Sequence, residues 1–208
     1  MLAHVDHIVY AVEDLDSGIA CIEHQLGIRP VLGGKHKAWG THNAILSLGD
    51  AVYLEVIAPD PELTPPPSGP PSVFCALGAG RMTTWAAKSR DIAKTHTLAN
   101  RAGIHLGETV NGSRMRDDGT KLNWSLTNPF TVVMDGLVPF FIDWGDSIHP
   151  SVHAPRGCRL IRLGAESPTP GELRKVFLDL NVPIEVHEGP VPGLFAQIDT
   201  PTGEVTIR

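Results

Sequence analysis

Two residues in this chain have the types and settings that chemistry needs. His7 lies in the run Val5-Asp6-His7-Ile8-Val9-Tyr10-Ala11-Val12, and Glu55 lies in Ala51-Val52-Tyr53-Leu54-Glu55-Val56-Ile57. Both are ionisable groups in otherwise apolar runs, where a side chain must face water or a partner that holds it. A divalent metal ion would hold both. An imidazole nitrogen with one or two carboxylates is a hard, mixed donor set that suits Fe, Mn, Zn, Ni or Mg and does not select among them. An ion held this way polarises a carbonyl or stabilises an enediolate, and a neighbouring carboxylate takes the proton. The plainer alternative is a core histidine satisfied by a backbone carbonyl and an edge glutamate in water.

The elements around this pair repeat. A strand over 5–12 leads to Glu13-Asp14-Leu15-Asp16-Ser17, a helix-start signal. Ile19, Ile22 and Leu26 recur at helical spacing, and Gly27 supplies a stop. Short strands near 29–32 and 43–48, the turn Gly49-Asp50 and the strand carrying Glu55 complete a βαβββ unit. The same order returns over 81–146, with a helix over 91–102 and the apolar run 137–144. It returns again over 155–208, where Thr169-Pro170-Gly171-Glu172 reads as a capping box. A proline-rich stretch over 59–72 reads as a linker. Strand parity puts His7 with Val9 and Ala11, and Glu55 with Tyr53 and Ile57. Each unit is a small sheet with a helix on one face. Paired units would bury or enclose the other face, giving an α+β fold with a cup-shaped mixed sheet.

Bulk properties narrow the classes. The 208 residues are 42% hydrophobic with a formal net charge of −6, as expected of a globular chain with a real core. The acidic balance and the lack of a basic run argue against nucleic acid and anionic membranes. No apolar stretch approaches bilayer length, and the N-terminus lacks the basic region of a signal peptide. Cys21, Cys75 and Cys158 read as reduced thiols, so the expected setting is cytoplasmic. There is no GxGxxG, P-loop, HExxH or GxSxG motif.

Three stretches then carry a resemblance: Asp6-His7-Ile8-Val9-Tyr10-Ala11-Val12-Glu13-Asp14-Leu15, Trp39-Gly40-Thr41-His42-Asn43-Ala44-Ile45-Leu46, and Gly49-Asp50-Ala51-Val52-Tyr53-Leu54-Glu55-Val56-Ile57-Ala58-Pro59. Together with Pro139-Phe140-Phe141-Ile142-Asp143-Trp144-Gly145-Asp146 and His149-Pro150, the chain resembles the vicinal oxygen chelate superfamily and its glyoxalase-like branch. That likeness is strongest over residues 4–150, taken as one glyoxalase-like domain, and looser over 155–208. It implies a metal site with a His and a Glu from each of two units. His7 and Glu55 fit the first pair. Aligning the units puts Thr84 at the His7 position and Asp143 at the Glu55 position, with His149 as a replacement ligand. The third unit offers neither donor.

The expected metal ligands are therefore His7, Glu55 and His149, with Glu55 or Asp143 as base. His42, Asn43, Trp85 and Trp144 are expected to wall the substrate pocket, with His42 facing it alongside Ala44 and Leu46. The resemblance implies a metal-dependent lyase, isomerase or dioxygenase acting on a small oxygenated molecule. A metal-free binder of bleomycin-resistance type is the alternative. Members of the superfamily often complete their cup by dimerising, so a homodimer stands beside a self-contained cup.

Overall fold

The computed structural model describes residues 4–64, 80–115 and 119–208. Most of the proline-rich linker, Asp117-Asp118 and Cys75 lie outside these residues. The first unit contains β1 (Val5–Ala11), α1 (Leu15–Leu26), β2 (Val31–His36), β3 (Thr41–Ser47) and β4 (Tyr53–Pro59). The second contains β5 (Arg81–Lys88), α2 (Ile92–Arg101), β6 (Thr109–Met115), β7 (Lys121–Thr127) and β8 (Phe140–Asp143). The third contains β9 (Arg159–Ser167), α3 (Pro170–Asp179), β10 (Glu185–Glu188), β11 (Gly193–Thr200) and β12 (Gly203–Ile207).

Local chemistry accounts for the helix ends. Asp14 caps α1 by accepting the Ser17 amide at 2.8 Å, and Gly27 ends the helix in the left-handed region at φ 73. At α3 Pro170 takes the first turn, but the Thr169 side chain makes no capping hydrogen bond, so the expected capping box does not form.

Eight strands form one mixed sheet in the order β2-β3-β4-β1-β5-β8-β7-β6. Each half places its first strand parallel to its last, β1 beside β4 and β5 beside β8, and the halves join through the antiparallel pair β1–β5. This is the expected α+β architecture, a sheet curled into a cup. Its two edges approach each other around the mouth. The Arg114 side chain reaches from β6 to Gly33 and Gly34 on β2, where a Cβ at Gly34 would stand 2.7 Å from Nη1.

The third unit repeats the order of elements but not their pairing. Its sheet runs β10-β9-β11-β12, with β9 parallel to β10 and antiparallel to β11. It packs on the convex side of the cup. There α1, α2 and α3 join one apolar core with Ile8, Leu54, Trp85, Leu163 and Phe177. The rings of Trp85 and Phe177 meet edge to face at 6.3 Å. The concave side carries a second cluster of Val9, Ala11, Ile57, Ala86, Leu126, Phe140 and Ile142.

One irregularity in β1 alters the alternation of its side chains. Pairing with β5 steps from Val5↔Ala87 to His7↔Ala86, so Asp6 is an extra residue in the ladder.

Candidate active site

The cup encloses a cavity of about 500 Å³ whose lining includes His7, Val9, Asn43, Tyr53, Glu55 and Ile57. β1 and β4 run parallel in register, with His7 opposite Tyr53 and Val9 opposite Glu55. Alternation along both strands then sends His7 and Glu55 to the concave side. His7 is 3% exposed and Glu55 is 8% exposed. His7 Nε2 stands 3.5 Å from Glu55 Oε2.

Each member of the pair is held by neighbours. His7 Nδ1 lies 2.8 Å from Asp6 Oδ1. Its ring stacks on Tyr53 at 4.6 Å and meets the edge of Phe140 at 5.4 Å. Asn43 Nδ2 donates to Glu55 Oε1. His36 Nε2 lies 4.0 Å from the same oxygen, and its Nδ1 lies 3.0 Å from Thr41 Oγ1. Burial holds the His36 imidazole below its ordinary pKa, with the Glu55 carboxylate pulling the other way. Burial, reinforced by the Glu55 and Asp6 carboxylates, pushes the Tyr53 phenol well up.

Behind His7, Asp6 is fully buried. His149 Nε2 lies 3.3 Å from its Oδ2, and Trp144 Nε1 donates to both carboxylate oxygens at 3.2 and 3.3 Å. Burial alone would raise the Asp6 pKa. The hydrogen bonds from His149 and His7 outweigh it and hold the carboxyl below the usual range.

Part of the cavity wall is aromatic. Trp39 meets Phe130 at 5.4 Å and Trp124 meets Trp144 at 5.4 Å. Trp124 lies over Gly112, its partner across the β6–β7 ladder, where a Cβ would be 2.3 Å from the indole. Gly136, at φ 86, faces the Thr83 carbonyl so closely that a Cβ there would sit 2.4 Å from the oxygen.

Several expected positions require correction. Asn43 and Ile45 line the cavity, so His42 faces the other way with Ala44 and Leu46; its Nδ1 is 3.9 Å from Asp60 Oδ2. Trp85 is fully buried in the convex core and donates to the Leu137 carbonyl at 2.8 Å. Trp144 does line the cavity. Phe140 and Ile142 face the cavity from β8, which sends Asp143 to the other side. There Asp143 accepts the Gly145 amide at 2.9 Å, beside a separate polar groove.

Register explains the Asp143 displacement. With Thr84 equivalent to His7, Ala86 is equivalent to Val9. Val9 pairs with Glu55, and Ala86 pairs with Phe140. Phe140, not Asp143, is the counterpart of Glu55. The second half therefore presents Thr84 and Phe140 to the cup, while His149 is turned to Asp6. Among the described residues no group of three or more His, Cys, Asp or Glu side chains is arranged to hold a metal ion. The residues present do not fit the expected metal site with donors from both halves.

Sequence patterning alone does not single out Asp6, His36, Tyr53, Arg114, Trp124 or Phe130 as site residues. Asp6 adjoins His7, but strand alternation assigns it to the opposite face, and only the bulge brings it round. His36 and Arg114 sit on edge strands whose patterns carry little phase information.

Comparison with known proteins agrees with this architecture. Residues 5–180 match the family described as a glyoxalase-like domain. No curated protein matches the chain. A hypothetical protein from Staphylococcus aureus is similar over 97% of this chain and 83% of its own, at 14% identity and a TM-score of 0.64. That likeness concerns the fold alone. Methylmalonyl-CoA epimerase from Mycobacterium tuberculosis aligns over 68% of this chain and 88% of its own, at 18% identity and a TM-score of 0.45. A hypothetical protein from Bacillus halodurans aligns over 69% and 96%, at 16% identity and a TM-score of 0.47. Among the described residues, no helix is long and apolar enough to cross a membrane.

Proposed function

The chain belongs to the glyoxalase-like domain family, and from that premise we propose that it is an enzyme moving a proton on a small oxygenated molecule held in the cup. The observation that carries this reading is the buried pair itself, His7 Nε2 and Glu55 Oε2 at 3.5 Å, facing a cavity of about 500 Å³. Val9, Ala11, Ile57, Phe140 and Ile142 give the cup apolar walls, and Asn43 fixes the Glu55 carboxylate by its hydrogen bond.

In the proposed step, Glu55 Oε2 takes a proton from the carbon beside a substrate carbonyl. The bond electrons move to form an enol, whose oxygen receives the proton carried on His7 Nε2. Return of both protons to different atoms gives an isomer; in an elimination the enol proton goes back to His7 Nε2 as the carbonyl re-forms, and the leaving group departs with its bond electrons and the proton held by Glu55. Both outcomes draw their acid and base from groups that line the cup. The divalent ion implied by the resemblance finds donors in His7 and Glu55 but none in Thr84 or Phe140, so no step is assigned to it.

A second reading is a binder that sequesters a small ligand, favoured by the aromatic wall of Trp39, Phe130, Trp124 and Trp144. Proton exchange separates the two. Incubation with a panel of 2-oxo acids, 2-hydroxy ketones and thioesters in D2O, followed by proton NMR, should show loss of a carbon-bound proton signal for at least one compound. Saturable binding with no exchange across the panel would replace the enzyme by the binder.

A further inference from the structure

The geometry points to Asp6 as the positioning residue of this site, fixing the tautomer of His7 so that Nε2 is the nitrogen left to trade protons in the cup. The proposal rests on the reading of His7 as a proton carrier, but it is testable without any substrate.

A carboxylate buried without hydrogen bonds is costly, and an ionised carboxylate only accepts. Every ring nitrogen aimed at Asp6 must therefore present a hydrogen. Oδ1 faces His7 Nδ1 at 2.8 Å, and Oδ2 faces His149 Nε2 at 3.3 Å. Trp144 Nε1, which has no other tautomer, donates to both oxygens. This donor set keeps Asp6 ionised, in line with its lowered pKa.

The consequence for His7 is specific. With its hydrogen on Nδ1, the ring presents Nε2 to Glu55 Oε2 at 3.5 Å. Nε2 is then the nitrogen left free to exchange a proton with a substrate in the cup. His149 is anchored in turn by Ser151, whose Oγ is 2.9 Å from Nδ1. A filler role for Asp6 would need none of this: a fully buried carboxylate is a poor way to occupy space.

The test is the protonation of the His7 ring nitrogens, read by long-range proton–nitrogen NMR of histidine-labelled protein. His7→Gln assigns the His7 signals. In the wild type, His7 is expected to carry a proton on Nδ1. In Asp6→Leu, which fills the space and removes the acceptor, the proton should move to Nε2 and point at Glu55. A wild-type His7 with a bare Nδ1 would overturn the proposal. So would a folded Asp6→Leu protein whose His7 keeps its proton on Nδ1. The wild-type measurement decides even if Asp6→Leu does not fold. The expected tautomer with no proton exchange on any carbonyl probe would remove the proposed reaction and leave the positioning role standing.

Discussion

Phe140 stands on β8 where Glu55 stands on β4. Val9 pairs with Glu55 as Ala86 pairs with Phe140, and both side chains face the same cavity. One half of the cup thus supplies a carboxylate and the other a hydrophobic ring at matching places. The asymmetry leaves the buried histidine–carboxylate pair on β1 and β4 without a counterpart on β5 and β8.

Metal content depends on this asymmetry. Protein purified without added metal should carry far less than one transition-metal ion per chain by elemental analysis. Titration with Mn(II), Ni(II), Zn(II) or Fe(II) should show only weak binding. The double variant Thr84→His, Phe140→Glu supplies the missing donors and should tighten Zn(II) binding by at least ~100-fold, since outer-shell changes alone shift metal affinity by about 10–100-fold. Stoichiometric metal in the wild type would show that two donors and water suffice.

Glu55→Gln tests the proton transfer. Asn43 can still donate to the amide oxygen, so the local fold should survive, with an unchanged circular dichroism spectrum. Exchange of any substrate proton found in D2O should fall by about 10²–10⁴, the usual contribution of a positioned acid or base. Retained exchange would take the base role from Glu55.

His36 gives the fold a pH dependence of defined sign. Its folded pKa lies below the ordinary value of about 6.5 because burial disfavours the charged ring. The unfolded chain therefore binds the extra proton first, and stability drops as pH falls below about 6.5 toward the folded pKa. Urea unfolding at pH 7.5 and 5.5 should show the loss, and His36→Gln should reduce the slope by up to about one proton. An identical slope in the variant would assign the dependence elsewhere.

Gly112→Ala should disturb the cup from outside the polar cluster. The added methyl meets the Trp124 indole and must push it from the wall. Overpacking of this kind costs about 1–3 kcal/mol, and tryptophan emission should shift with it. An unshifted spectrum and unchanged melting would mean that β6 yields instead.

Phe177→Ala tests the join between the third sheet and the cup. Phe177 is 1% exposed and packs on Trp85. Truncating a buried phenylalanine costs about 3–5 kcal/mol, read as a lower urea midpoint in a single transition. A new early transition confined to part of the chain would show that the third unit melts by itself.

Much of this was legible in the sequence for physical reasons. The cap at Asp14, the stop at Gly27 and the phase of His7 and Glu55 come from local rules. The phase of β3 does not: six of its seven residues are buried, and each face mixes polar with apolar residues (Thr41, Asn43, Ile45 and Ser47 against His42, Ala44 and Leu46), so alternation cannot say whether His42 or Asn43 turns inward. The Asp143 alignment fails because β8 is only four residues long and comes after an irregular segment with Met134 and Asp135 at positive φ. Matching Phe-Ile-Asp-Trp to Tyr-Leu-Glu-Val by likeness slides the register by three residues. The third unit's pairing was hidden because element order does not specify which strands become neighbours.

The extra residue in β1 has a bearing on how such chains are compared. A strand is usually treated as a ruler with two sides, and adjacent residues are scored as belonging to different environments. At Val5–His7 the ruler skips a mark, so an acid and a base that are neighbours in the chain also become neighbours in space. A relative could keep the histidine, lose one residue before it, and still align without a visible gap in quality. Its imidazole would then stand in the cup with no carboxylate behind it, a different device under the same letters.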